Sequence, residues 1–251
     1  HRAGVKRRLI SNKNQVKTTR AITQLRKKKM KSYITRIACL IITITTTHLA
    51  TAHSVYFEAL DDGQLVIRFG AFGDDYEESP GYLDSLDAIY VWKIGAEESP
   101  EALDPKKEKQ GFAIEAKESD TTSAHSGFII MTRGSSPARK PYFYARWAPD
   151  FNQKPKPTLT LDLIPTGKPG EVQAFFRQKP LIGATATLYT PEANDQELTA
   201  DEKGIFTFTT NPEEKGLYML KIGRYREDLA GFDRGAPFEL SSHNCSLTWE
   251  Q

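Results

Sequence analysis

Thr158-Leu159-Thr160-Leu161-Asp162-Leu163-Ile164 decides the fold. Leucines and polar residues alternate one by one, so Leu159, Leu161 and Leu163 share one side of an extended chain. A helix, with about 3.6 residues per turn, would scatter them around its surface. The same period returns in Val172–Arg177 (VQAFFR), Thr185–Tyr189 (TATLY), Ile205–Thr209 (IFTFT), Gly216–Ile222 (GLYMLKI) and Ser246–Trp249 (SLTW). Turn-forming residues separate these runs: Gly167–Gly170 (GKPG), Gln178-Lys179-Pro180 and Thr199–Gly204 (TADEKG). Short alternating strands at this spacing predict an immunoglobulin-like β-sandwich over residues 156–251. The cysteine pair and core tryptophan of antibody domains are missing, so only the architecture is implied.

Working upstream, Pro155-Lys156-Pro157 reads as a stiff linker and marks a domain boundary. Before it, strands are expected at Ser54–Leu60, Gln64–Phe69, Ala88–Ile94, Gly111–Ala116, Gly127–Met131 and Tyr142–Trp147. No long helical period interrupts them. The expected fold class is therefore all-β, with an N-terminal β-sandwich domain over 53–155 and the immunoglobulin-like one over 156–251. The acidic run Asp74–Glu78 lacks the D-x-D-x-D-G spacing of a calcium loop and reads as solvated.

Residues before 53 read as an address, not as fold. Met30 opens a segment in which Lys31 and Arg36 precede the apolar run Ile37–Thr47, and Ala50-Thr51-Ala52 offers small residues to a signal peptidase. A signal peptide over 30–52 is expected, cleaved before His53. Its apolar run is shorter than the roughly 20 residues that span a bilayer. Residues 1–29, with eleven Lys/Arg and no acid, read as an upstream segment foreign to the protein. Without residues 1–52 the chain keeps 21 Lys/Arg against 32 Asp/Glu, a net charge of −11. That balance argues against nucleic acid as a partner and is compatible with cations. Cys39 leaves with the leader, so Cys245 has no intramolecular partner and reads as a buried thiol.

From Pro180 to Leu220 the pattern is P-L-x-G-A-x-A-x-L, then T-A-D-x-x-G-x-F-x-F, then G-L-Y-x-L. It resembles transthyretin-like and carboxypeptidase-regulatory-like sandwich modules. Three further features are His53 at the cleavage point, the aromatic strand Tyr142–Trp147, and the closing His243-Asn244-Cys245-Ser246-Leu247-Thr248-Trp249. With these, residues 53–251 resemble an uncharacterised periplasmic family linked to the substrate-specific component of nickel and cobalt uptake transporters. The resemblance implies a non-enzymatic periplasmic protein that handles a transition metal, with a membrane metal transporter as partner and His53 matching the family's N-terminal histidine. Where many relatives carry an acidic residue after that histidine, this chain has Ser54.

The residues give the metal reading a physical basis. An N-terminal His53 offers its α-amine and its imidazole, and nickel(II), cobalt(II) or copper(II) accept such nitrogens. His125 and His243 are the other two candidate ligands. The spacing is not the amino-terminal copper/nickel type, because the third position is Val55. If metal is handled, His53 is expected to meet another histidine or an acid.

A carbohydrate-binding, adhesion or scaffold module without metal is the alternative, and it calls for an exposed aromatic surface. On strand 142–147, Tyr142 and Tyr144 face one way and Trp147 the other. Hydrolytic chemistry finds no support: His125 and Ser126 are adjacent on a strand and point apart, and Gly134-Ser135-Ser136 lacks the G-x-S-x-G elbow.

Overall fold

A computed structural model describes residues 53–73, 75–94 and 99–251. The expected upstream segment and signal peptide, 1–29 and 30–52, lie outside the described residues, as does Asp74 of the acidic run. The described chain is all-β, with one 3-10 turn at Tyr82–Ser85.

The first half contributes β1 (Ser54–Ala59), β2 (Gln64–Gly70), β3 (Tyr90–Ile94), β4 (Pro100–Leu103), β5 (Lys106–Glu108), β6 (Gly111–Lys117), β7 (Thr121–Gly127) and β8 (Arg139–Trp147). The second half contributes β9 (Leu161–Pro165), β10 (Glu171–Phe176), β11 (Lys179–Pro180), β12 (Thr185–Tyr189), β13 (Gln196–Thr199), β14 (Ile205–Thr207) and β15 (Leu217–Glu227). It closes with β16 (Gly231–Asp233), β17 (Ala236–Phe238) and β18 (Leu240–Glu250). One expected strand, Gly127–Met131, is displaced: the strand there is β7, and Phe128 and Met131 make only isolated bridges. The sequence of β7, Thr121-Thr-Ser-Ala-His-Ser-Gly127, has almost no apolar signal. It is buried because strands flank it on both sides, and small side chains suit that crowded position.

An eight-stranded sheet runs through both halves in the order β13-β12-β15-β18-β8-β7-β3-β4. β8 and β18 join its two parts by parallel pairing, from Leu240 beside Arg139 to Thr248 beside Trp147. Two smaller sheets cover it: β1-β2-β6-β5, and β9, β10, β11 and β14. They lie on opposite faces. Side chains alternate along each strand, and β8 shows the consequence. Its Phe143, Ala145 and Trp147 enter the core under β1, β2 and β6, whereas Tyr144 enters the core under β9 and β10. On β18, Ser246 Oγ donates to the Val55 carbonyl of β1 (2.6 Å), while Cys245 and Leu247 face the other way, into the second core. The expected boundary at 155 falls between β8 and β9. The two cores lie on opposite faces of the shared sheet, and Tyr144 and Ala148, from before residue 155, pack into the second.

The second core holds Leu161, Leu163, Val172, Phe206, Leu220 and Leu247, each fully shielded from water. Each contributes roughly 1.5–3 kcal/mol on burial. A charged pair is buried among them. Arg146 of β8 grips Asp162 of β9 through Nε (2.9 Å) and Nη2 (2.8 Å), with both side chains at 0% exposure. Asp162 also accepts the backbone N–H groups of Thr158, Leu159 and Leu163 at 2.9–3.1 Å. So the polar residue inside the TLTLDLI run is the clasp between the large sheet and its cover.

Candidate ligand-binding groove

The β9–β10 sheet covers its face of the large sheet only from β12 to about β8. Past β8, the same face continues over β7 and β3, where no described strand of the β9–β10 sheet lies above it. Register decides what stands there. Tyr90 pairs with His125, Trp92 with Ser123, His125 with Tyr144, and Gly127 with Tyr142. Partners in register point to the same face, so Tyr90, Trp92, His125, Tyr142 and Tyr144 all rise from it. The segment Thr158-Leu159-Thr160, leading into β9, forms the opposite wall, and the space between is a cavity of about 650 Å³. That falls within the roughly 300–1,000 Å³ of small-molecule sites.

The rings in the groove are close to parallel. Tyr90 and His125 lie 5.1 Å apart with a 28° tilt, and Trp92 and His125 lie 5.2 Å apart with a 20° tilt. Tyr90 is 54% exposed. A large ring that open, stacked on two others, is an apolar surface that the fold supports and leaves wet.

One end of the groove is charged. Lys140 Nζ lies 2.7 Å from Asp87 Oδ2 and 2.7 Å from Asp233 Oδ2, and its side chain is 3% exposed. Burial opposes its charge, but the hydrogen bonds to Asp233 and Asp87 outweigh that and hold its pKa above the usual lysine range. Arg234 pairs with the other oxygen of Asp87. The cluster carries two positive and two negative groups, so the groove keeps hydrogen-bonding groups without a net charge. Gly127 makes room for it, since a Cβ there would stand 2.1 Å from Asp87 Oδ2.

The three candidate histidines are placed as follows. His53 sits ahead of β1, on the side of the first core, packed against Phe69 (5.4 Å) and Tyr82 (5.3 Å). Its imidazole meets the Glu77 carboxylate. His125 and His243 lie on the opposite face of the large sheet, on either side of Tyr144. Burial lowers the pKa of His125. Burial also lowers that of His243, against the opposing pull of Glu227. So the structure brings His125 and His243 to one strand neighbourhood and leaves His53 elsewhere. Among the described residues no group of three or more His, Cys, Asp or Glu is gathered as a metal set. Cys245 is buried in the second core, and burial raises its thiol pKa well above the ordinary value.

Tyr142 and Tyr144 line the groove while Trp147 turns into the first core, where its Nε1 donates to the Glu118 carbonyl (2.7 Å). Tyr90 and Trp92 escaped the sequence reading as site residues. Their spacing on the expected strand Ala88–Ile94 put both on one face, but only the register with β7 shows that this face also carries His125. Ser126 donates to the backbone carbonyls of Asp87 and Gly127, away from the His125 ring.

No family model matches this chain, and no curated protein or solved structure matches it. Fold and site define a class nonetheless: an all-β protein of two sandwiches on a shared sheet, with an aromatic groove where the described residues leave one face of that sheet uncovered. No helix among the described residues is long and apolar enough to cross a membrane.

Proposed function

We propose that the groove is a carbohydrate-recognition site and that the protein binds a glycan chain without transforming it. The observation that carries the reading is the pairing of Tyr90, Trp92 and His125 rings with the Asp87–Lys140–Asp233 cluster in one 650 Å³ groove. A pyranose has an apolar C–H face that packs on aromatic rings and a rim of hydroxyls that needs donors and acceptors. The groove supplies both along its length, and it keeps no net charge that would favour a strongly ionic ligand. The test is a panel of soluble oligosaccharides added to the isotopically labelled full chain. Binding should shift the resonances of Tyr90, Trp92 and His125. A panel that shifts none of them, or only residues outside the groove, contradicts the reading.

The contact between His53 and Glu77 favours a second reading, transition-metal binding in support of a membrane metal transporter in the periplasm. If the chain is cleaved before His53, the α-amine, the imidazole and the Glu77 carboxylate make two nitrogens and an oxygen, a set suited to nickel(II), cobalt(II) or copper(II). The fit is partial, since the two side chains alone fall short of a full coordination shell. Calorimetry with copper(II) and nickel(II) tests it, on protein beginning at His53 and on protein with one alanine added before it. An affinity loss of at least tenfold in the extended form supports an amine-plus-imidazole site. Equal binding in both forms, or none, contradicts it.

A further inference from the structure

Behind the groove stands a chain of four polar side chains that packing alone does not require. Arg177 Nη2 reaches both oxygens of Glu227 at 2.9 Å. Glu227 Oε2 lies 3.2 Å from His243 Nε2, and His243 Nδ1 lies 3.1 Å from the Tyr144 hydroxyl. Tyr144 and Thr160 both line the groove. The line thus runs from an exposed guanidinium, through a buried imidazole, to a phenol at the groove wall.

We propose that His243, backed by Glu227, fixes the Tyr144 hydroxyl so that the groove demands a hydrogen-bond donor from its ligand, and that the ligand is an acetamido-sugar chain whose amide N–H meets the Tyr144 oxygen. The proposal rests on the carbohydrate reading. The protons follow from elementary valence. Glu227, clamped through both oxygens by Arg177, can only accept. His243 Nε2 must therefore carry the proton of that contact. A neutral imidazole has one N–H, so Nδ1 is bare and accepts from Tyr144. With its proton committed to Nδ1 and one lone pair met by the Thr160 side chain, the phenol oxygen has a single lone pair left to offer. A sugar hydroxyl meets this by turning, since it donates and accepts equally well. An amide N–H can only donate, so an acetamido group depends on this arrangement where a hydroxyl does not. Ile94, Pro100 and Leu159 line the same groove and give an acetyl methyl an apolar seat.

Acid reverses the arrangement. The groups facing His243 are Tyr142 and Tyr144 from β8, Glu227 and Tyr225 from β15, and Arg177 after β10, with the Phe176 ring edge-on at 5.2 Å. Arg177 opposes a second proton on the imidazole and Glu227 favours it; burial disfavours it most. Once His243 is doubly protonated, Nδ1–H donates to the phenol oxygen. The phenol proton swings away and the lone pair that met the ligand is lost. A hydroxyl at that spot turns and accepts. An amide N–H is left facing another donor.

The experiment compares two β-1,4-linked probes on the full chain from pH 8 to pH 5: chito-oligosaccharide, with an acetamido group on each ring, and cello-oligosaccharide, with a hydroxyl in its place. The chito probe should weaken by about three- to tenfold more than the cello probe on acidification, the worth of one hydrogen bond. His243→Gln, which does not titrate, should remove that difference, and so should Tyr144→Phe if the glutamine variant does not fold. In parallel, imidazole nitrogen NMR of the ligand-free chain reads the tautomer directly: a proton on Nε2 and a bare Nδ1 are expected. A proton on Nδ1 at neutral pH, or equal pH response of the two probes, overturns the proposal. If neither probe binds at any pH, the assignment of an acetamido-sugar ligand falls with the carbohydrate reading. The NMR result alone then decides whether His243 fixes the Tyr144 hydroxyl.

Discussion

The same face of one sheet is treated in two ways. From β12 to β18 it is roofed by β9 and β10, and its side chains are Leu188, Leu220, Cys245 and Leu247, all shielded from water. Over β7 and β3 the described strands of that smaller sheet leave it unroofed, and its side chains are Tyr90, Trp92 and His125. The roofed half is built to be dry. Its fully buried charged pair, Arg146 with Asp162, is bidentate and capped by backbone N–H groups. The open half keeps rings that tolerate water on one side, and its charges, Lys140 with Asp87 and Asp233, line the groove. The difference shows that the smaller sheet does more than bury a core, because its edge defines one wall of the groove.

The largest effect should come from breaking the roofed half at its clasp. Asp162→Ala leaves Arg146 charged and buried without its partner, a loss of about 3–5 kcal/mol in urea unfolding. Replacing both residues by apolar ones of similar volume should recover most of that loss. If the single variant costs less than about 1 kcal/mol, the clasp is not what holds this roof on. Leu163→Ala comes next, at about 2–5 kcal/mol from lost transfer and a residual cavity.

Acidification probes both halves at once. Burial depresses the pKa of His125 and His243, so the folded chain binds fewer protons than the unfolded chain just below the ordinary histidine value of 6.5. Their contribution to stability is fully present above that pH and is lost as pH falls toward the depressed folded values. Thermal unfolding between pH 7.5 and pH 5 should show a declining midpoint. The decline should be smaller in His243→Gln, and an unchanged slope in that variant would mean that the imidazole is not buried in its neutral form. The smallest effect on stability should come from the open half. Trp92→Ala should cost less than about 1.5 kcal/mol, because the site has no roof to collapse.

The contrast between the halves also explains what was legible beforehand. The roofed half announces itself, since TLTLDLI, TATLY and GLYMLKI alternate cleanly and supply strands of a dry core, the first of them only from Leu161 on. The alternation on β8 correctly separated Tyr142 and Tyr144 from Trp147. The shared sheet was not legible, because parallel pairing of β8 with β18 joins residues about a hundred positions apart with no turn to mark it. Nor was β7, whose Ser, Thr and Ala carry no hydrophobic period although most of them are buried. Without β7 there is no register to bring His125 beside Tyr90 and Trp92. Asp162 read as an ordinary polar position on an alternating strand, since nothing local reveals that Arg146 waits opposite.

The most direct test of the open half as a binding site is the oligosaccharide affinity of Trp92→Ala, measured by titration calorimetry beside wild type, on protein whose urea midpoint is checked in the same preparation. The expected result is a loss of at least tenfold in affinity, about 1.4 kcal/mol, with a near-native midpoint. Full affinity in the folded variant would contradict the claim that these rings are the floor of a ligand site.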